Sequence, residues 1–411
     1  MSDWSNLHLD VTIIIAEKFE YYEDFIAFGC VCVSWRRTTK FAREPSVSRK
    51  TPLLMILDST RCSNLKLYGL NKRFALVVDF PIPSTTRGGR DPNDENYSGL
   101  RDLFCVDEDE ASEWRFFSSR GWLICATQIG FNIVLMHPLS RMVIQPPAIP
   151  ESIMTKYNGS WDEIMYLAMF NKFVISDCPS QTSDYMIGMI FPTYRNLAFW
   201  RSGDKEWTTL CNPEYRHSFL DIAFYNGEFY AVDQLGKVVG LGKSSPPTPR
   251  MVAKMQFRYT FPGSLYLVES AGELLLVSRK VRRYDNVGGP RYTTLYFKAW
   301  EVNVDTGVVK EVTHLRDRAL FVGYNSSFSM TALPSQGCKP NCIYYTNNIE
   351  NNIYECDMGV YDLVAGKKID DLEFGRPSCI GPSSIVSPLW VENPLGSVFE
   401  SGPLKQVRHI V

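Results

Sequence analysis

Trp300-Glu301-Val302-Asn303-Val304-Asp305-Thr306-Gly307-Val308-Val309 alternates apolar and polar residues as far as Asp305, then turns, then resumes with two valines. A period of two sends successive side chains to opposite sides of a strand, and Asp-Thr-Gly between two such runs supplies a turn, so the stretch reads as a β-hairpin. The pattern recurs on both sides. Asn132-Ile133-Val134-Leu135-Met136 meets a turn at Pro138-Leu139-Ser140-Arg141, and Leu197-Ala198-Phe199-Trp200 meets one at Gly203-Asp204-Lys205 before Trp207. Met358-Gly359-Val360-Tyr361-Asp362 meets one at Ala365-Gly366-Lys367, and Glu228-Phe229-Tyr230-Ala231-Val232 pairs with Lys237-Val238-Val239. Such units return at intervals of roughly 40–60 residues, the spacing of propeller blades with variable insertions. The expected fold is mainly β with a small α module in front: a β-propeller of six blades, five or seven being the alternatives.

Composition agrees. Apolar residues make up 45% of the 411 and charged residues 21%, while 24 Phe and 21 Tyr favour sheet. A formal charge of −2 provides no field that would gather nucleic acid or an anionic membrane. No apolar run reaches the roughly 18–20 residues that span a bilayer. The N-terminus, with Asp3, Glu17 and short apolar runs, lacks the layout of a secretory signal. A cytoplasmic or nuclear location is expected, with no membrane or nucleic-acid partner. The eleven cysteines, an odd number, are expected to be reduced.

Ahead of the strands, residues 3–43 read as three short helices. Asp10 is placed to cap the first, with Val11, Ile14, Ile15 and Phe19 at three- and four-residue steps, and Tyr21-Tyr22-Glu23 makes a break. Asp24 is placed to cap a second, whose stripe runs through Phe25, Phe28, Val31, Cys32 and Trp35 into a basic end, Arg36, Arg37, Lys40 and Arg43. About 40 residues make too small a core for that many large apolar side chains, so the excess reads as a docking surface. The layout is then a helical module at 3–43, a linker at 44–52, the propeller at 53–392 and a tail at 393–411.

Asp3-Trp4-Ser5-Asn6-Leu7, Leu9-Asp10 and above all Val31-Cys32-Val33-Ser34-Trp35-Arg36 resemble the F-box, whose pattern runs Leu-Pro-x-Asp/Glu-Leu, an apolar stripe, then Val-Cys-x-x-Trp-Arg. Gly121-Trp122-Leu123, Phe229-Tyr230-Ala231-Val232-Asp233, Gly272-Glu273-Leu274-Leu275-Leu276-Val277, Ser327-Phe328-Ser329 and Cys338-Lys339-Pro340-Asn341-Cys342-Ile343-Tyr344-Tyr345 resemble the kelch-like C-terminal domain of plant F-box proteins. The resemblance implies a substrate-recognition subunit of a Skp-cullin-F-box (SCF) ubiquitin ligase. The adaptor and, through it, the cullin would bind by Leu7, Leu9, Ile14, Val31, Cys32 and Trp35, and the propeller would hold the protein to be ubiquitinated. One position departs from the pattern: His8 stands where the family usually has proline, a residue that fixes the chain entering the first helix.

Signals for chemistry are weak, and neither a catalytic role nor a cofactor or metal is expected. Gly240-Leu241-Gly242-Lys243-Ser244 imitates a phosphate loop, but Lys237 occupies the place of the first glycine, so it reads as a turn. No Gly-x-Ser-x-Gly elbow occurs, and His8, His137, His217, His314 and His409 show no metal-ligand spacing. Cys338 and Cys342 lack a second Cys or His pair and read as core. Asp107-Glu108-Asp109-Glu110 reads as a solvated loop and Arg279-Lys280-Val281-Arg282-Arg283 as a hydrated basic loop. The alternatives to a receptor are a scaffold without a ubiquitination role and a propeller hydrolase with carboxylates or histidines converging in its channel.

Overall fold

A computed structural model describes residues 7–19, 28–29, 31–39, 41–42, 52–57, 64–70, 74–79, 114–127, 132–138, 142–150, 172–191, 196–210, 218–242, 247–255, 263–286, 289–323, 325–334, 337–346, 357–370 and 389–392. Among them the strands form six sheets, and these are the blades of a propeller. The opening hairpin is present, with Val302 opposite Val309. Its turn begins at Asn303, whose Oδ1 accepts the N–H groups of Asp305 at 3.1 Å and Thr306 at 2.9 Å. Gly307 takes φ +74°, and a Cβ there would stand 2.6 Å from the carbonyl oxygen of Val252, so both conformation and space demand glycine.

From the inside outward, blade 2 runs Trp114–Ser119, Trp122–Thr127, Ile133–Met136, Val143–Ile144. Blade 3 runs Lys172–Ile175, Met186–Phe191, Asn196–Arg201, Thr208–Leu210, and blade 4 Phe219–Tyr225, Glu228–Asp233, Lys237–Leu241, Pro249–Lys254. Blade 5 is Gly263–Ser270, Glu273–Asn286, Gly289–Val302, Val309–Val312. Blade 6 has five strands, Phe328–Thr331, Arg318–Val322, Cys342–Tyr345, Gly359–Asp362, Lys367–Asp370, with Arg318–Val322 parallel to Cys342–Tyr345. Blade 1 closes the ring. Its Leu53–Leu57, Asn64–Gly69 and Phe74–Asp79 come from the front of the chain, and its inner strand, Leu389–Val391, comes from the far end and pairs antiparallel with Leu53–Met55.

Blade strands read as nearly continuous apolar runs because both faces are covered. In blade 4, Phe229 and Ala231 pack into the cluster shared with blade 3, while Tyr230 and Val232 pack into the one shared with blade 5. Leu265 and Leu267 of blade 5 face blade 4, and Tyr266 and Val268 face blade 6. Leu389 and Val391 join the cluster with blade 2, and Trp390 the one with blade 6. Alternation therefore sorts side chains between two neighbours rather than between core and water.

The sequence expectations need four corrections. His8, not Asp10, caps the Leu9–Ala16 helix: its Nδ1 accepts the Asp10 N–H at 3.4 Å, and its carbonyl takes the N–H groups of Val11 and Thr12, both at 3.1 Å. Its φ of −59° lies close to the angle a proline would impose, so the helix entry keeps its direction without one. Secondly, the stripe through Val31, Cys32 and Trp35 does not follow one helix. Cys32 is extended, φ −159° and ψ 171°, and its Sγ accepts the Trp35 N–H to cap a new helix, Val33–Thr38. Thirdly, Arg279–Arg283 is strand, not loop, and Arg279 is buried. Fourthly, Gly240 and Leu241 end a strand of blade 4 rather than forming a turn. Asp24, Tyr21–Glu23, the acidic run 107–110, most of the linker and the tail 393–411 lie outside the described residues. No described helix is long and apolar enough to cross a membrane.

Candidate functional site

Two surfaces qualify: the face of the helical module and the mouth of the propeller's central channel. The module's described core is Ala16, Phe28 and Ala42, with Ile13, Ile15, Phe19 and Trp35 packed against it. Trp35 stacks on Phe28 with centroids 4.5 Å apart. Buried Thr12 and Thr38 join their hydroxyls at 2.8 Å, tying the Leu9–Ala16 and Val33–Thr38 helices together. Six large apolar residues remain outside, Leu9, Val11, Ile14, Val31, Val33 and Phe41, with Ile14 exposed by 58%, Val31 by 61% and Val33 by 79%, beside exposed charged residues such as Asp10, Arg36 and Arg37. Val11 and Ile14 are three residues apart and so share a helix face. Of the residues singled out in the sequence, Leu9, Ile14 and Val31 are exposed, while Leu7, Cys32 and Trp35 are half-buried. Cys32 and Trp35 thus also serve the module's interior, one as cap and the other as stacking partner.

At the propeller axis the inner strands touch in succession, and each junction carries a polar tie. The Ser118 hydroxyl donates to the Trp390 carbonyl between blades 2 and 1. Ser119 Oγ accepts the Ile175 N–H at 3.0 Å and Arg120 Nε donates to the Ile175 carbonyl at 3.0 Å, joining blades 2 and 3. Lys172 of blade 3 and Asp221 of blade 4 form a buried ion pair at 2.6 Å. Asp221 also accepts the Leu267 N–H of blade 5 at 2.8 Å and its neighbour Ile222 N–H at 2.7 Å. Burial pulls the Lys172 ammonium down and pushes the Asp221 carboxyl up, and each charge opposes the shift of the other. The two backbone donors on Asp221 favour its carboxylate form, so we read the pair as charged. Ser270 and Ser329 share a hydrogen bond at 2.8 Å between blades 5 and 6, and Trp390 N–H donates to Asn325 Oδ1 at 3.4 Å between blades 1 and 6.

Farther out, blades 5 and 6 are joined again through Arg279. Its guanidinium donates to Thr294 Oγ1 at 2.8 Å, the Thr346 carbonyl at 2.9 Å and Asp357 Oδ2 at 3.0 Å, and lies 4.7 Å from the centre of the Tyr345 ring. A buried arginine with its donors met in this way is a structural rivet.

The channel opens into a cavity of about 530 Å³ lined by Arg120, Glu269, Glu392, Tyr225, Asn226, the serines 119, 326, 327 and 329, and apolar residues including Ile222, Phe224 and Phe328. Its rim is built by three alike turns. Arg120-Gly121, Asn226-Gly227 and Ala271-Gly272 each join the first two strands of a blade with both residues at positive φ, the geometry of a two-residue hairpin. Strands of blades 2, 4 and 5 therefore deliver Arg120, Asn226 and Gly272 to one mouth. The sequence reasoning missed this set; the readable signal was an x-Gly pair between two apolar runs, repeated three times.

Lys172 donates to Ser327 Oγ at 3.1 Å, which brings a serine and a lysine together. A Ser–Lys nucleophile requires a free amine as base, whereas this one is paired with Asp221 at 2.6 Å. Two carboxylates do reach the cavity, as the hydrolase alternative asks, but no histidine lines it among the described residues. Cys338 and Cys342 are buried in the core between blades 6 and 1, and burial pushes both thiols up to about 11, as the core reading expects.

Helices with exposed apolar side chains precede a six-bladed propeller. It belongs to the KIB1-4 beta-propeller family, which matches residues 100–362. Among its relatives, the Arabidopsis thaliana F-box protein SKIP23 is 26% identical, with 89% of this chain and 91% of that protein covered. The putative F-box protein At1g65770 of the same plant is 23% identical over 87% of this chain and 93% of its own. The β-propeller domain of Myceliophteria thermophila Cps50 (Swd1) aligns with a TM-score of 0.37 and 9% identity, over 79% of this chain and 87% of that one.

Proposed function

We propose that the chain is a non-catalytic substrate-recognition subunit of an SCF-type ubiquitin ligase, acting in the cytoplasm or nucleus. The module docks on a Skp-type adaptor that bridges to the cullin, using Leu7, Leu9, Ile14, Val31, Cys32 and Trp35, and the propeller holds the target. The chain supplies proximity and orientation, and chemistry belongs to the rest of the ligase. The observation that carries this reading is the exposure of six large apolar side chains on so small a module, since apolar surface in such excess marks an interaction site. The F-box names of relatives that span nearly the whole chain support it.

The test is a calorimetric titration of the full chain with a Skp-type adaptor. Because Trp35 also braces Phe28, Ile14→Asp and Val31→Asp are the cleaner probes. Each is expected to weaken binding by at least tenfold, about 1.4 kcal/mol, with the helical signal retained. Unchanged affinity in both variants, or no binding by the native chain, removes the assignment.

A further inference from the structure

Blade 5 extends past the rest of its sheet. Its second and third strands, Glu273–Asn286 and Gly289–Val302, have 14 residues each, and the next longest described strand, Gly263–Ser270, has 8. The inner strand pairs with this hairpin only as far as Lys280, opposite Gly263, and the outer strand only from Ala299, opposite Val312. From Val281 to Asn286 and from Gly289 to Thr294 the two strands pair with each other alone among the described residues, as a ribbon about 20 Å long.

One face of the ribbon is committed to the propeller. Val281 and Thr294, opposite each other, are buried, and Asp357, which precedes the blade 6 strand Gly359–Asp362, accepts both the N–H and the hydroxyl of Thr294 at 2.6 Å. Alternation sends Lys280, Arg282 and Tyr284 to the other face, and the register sets Tyr296 opposite Lys280 and Thr293 opposite Arg282. That face is open. Arg282, Tyr284, Thr293 and Tyr296 are exposed, as is Leu295, the extra residue of a bulge beside them. The Arg282 guanidinium lies 5.9 Å from the centre of the Tyr284 ring and donates to its hydroxyl at 3.4 Å, so cation and ring are presented together.

The ribbon is also basic. Residues 280–294 include Lys280, Arg282, Arg283 and Arg291 against the single acid Asp285, in a chain whose formal charge is −2. Farther along, Lys298 and Glu311 pair at 3.3 Å and cancel each other. Tyrosine and arginine are the residue types that dominate binding hot spots, and the sign of the charge selects an acidic partner and repels a basic one.

We propose that this face of the blade 5 ribbon docks an extended acidic segment of a partner protein, with carboxylates beside Arg282 and Lys280 and the intervening side chains against Tyr284 and Tyr296. A peptide suits the ribbon better than a nucleic acid. Neither edge of the ribbon pairs with a further strand among the described residues, so its outward N–H and C=O groups can form a ladder with another extended chain, which a phosphate backbone cannot do. A long polyanion would also meet a chain that is net negative outside the ribbon. That the partner is the target of a ligase rests on the receptor reading above; the charge preference of the ribbon does not.

The test is fluorescence polarisation of the full chain with a labelled peptide of five Glu-Thr repeats, its neutral counterpart of five Gln-Thr repeats, and a single-stranded oligothymidylate. The acidic peptide is expected to saturate with a Kd on the order of 100 μM, and the neutral one to bind at least tenfold more weakly. Arg282→Glu should weaken acidic-peptide binding at least tenfold with an unchanged unfolding midpoint, because the side chain it replaces is exposed. Should that variant fail to fold, Arg282→Gln and Tyr284→Ser give the same readout with a loss of at least threefold. Equal binding of the two peptides, no saturable binding of the acidic one, binding indifferent to the ribbon variants, or oligothymidylate binding more tightly than the acidic peptide would overturn the proposal. Adaptor titration of the same proteins separates the two readings: a chain that binds the adaptor but not the acidic peptide sinks the ribbon assignment alone, and the reverse sinks the receptor alone.

Discussion

In blade 5, Leu265 and Leu267 are covered by blade 4 and Tyr266 and Val268 by blade 6, so every apolar side chain of that run has a neighbour within the ring. In the helical module, Ala16, Phe28 and Ala42 are covered while Ile14, Val31 and Val33 are not. The difference is one of closure. A ring of sheets has no end, because the strand Leu389–Val391 returns to blade 1 and gives Leu53–Met55 a partner. A few short helices have no such return, and a core that small cannot bury all its large side chains. The propeller is finished by its own chain, and the module's free face is what a second protein would finish.

The contrast breaks most sharply if the propeller's polar ties are removed. Asp221→Ala leaves Lys172 buried without its counter-charge and takes an acceptor from Leu267, and losing one partner of a buried pair typically costs about 3–5 kcal/mol. Urea denaturation of the full chain should show that loss, and Asp221→Leu combined with Lys172→Met should recover most of it. A smaller effect is expected in the module, where Thr38→Val removes the hydroxyl contact with Thr12 at a cost of about 1 kcal/mol. Faster hydrogen exchange of the Leu9–Ala16 amides, with blade amides unaffected, is the signature to look for. Smallest of all, Val33→Ser should change stability by less than about 0.5 kcal/mol because the side chain contacts water already. A loss above 1 kcal/mol on thermal denaturation would mean that the isolated chain covers this face after all.

The hairpins were legible because their signal is local. Val302 and Val309 pair where the alternation and the turn residues put them, and the pairs Met136 with Val143 and Asp362 with Lys367 repeat the lesson. The cap assignment at Asp10 failed for a reason equally local: Asp10 and His8 both offer an acceptor near the first turn, and sequence alone does not say which residue sits outside the helix. Arg279 misled because a charged run usually means solvent, whereas here Thr294, Thr346 and Asp357, the last two from the next blade, meet its donors. The channel mouth stayed hidden since Arg120, Glu269, Ser327 and Glu392 are far apart in the chain and carry no motif.

The amino-acid order by itself determined that the chain begins with apolar helices and continues as repeated strand–turn–strand units, because period and turn chemistry act over a few residues. Tertiary structure alone decided which faces meet. The pairing of the last strand with the first, the ion pair across blades 3 and 4 and the charge of the channel mouth depend on bringing distant residues within a few ångströms, and that proximity follows from closing the ring.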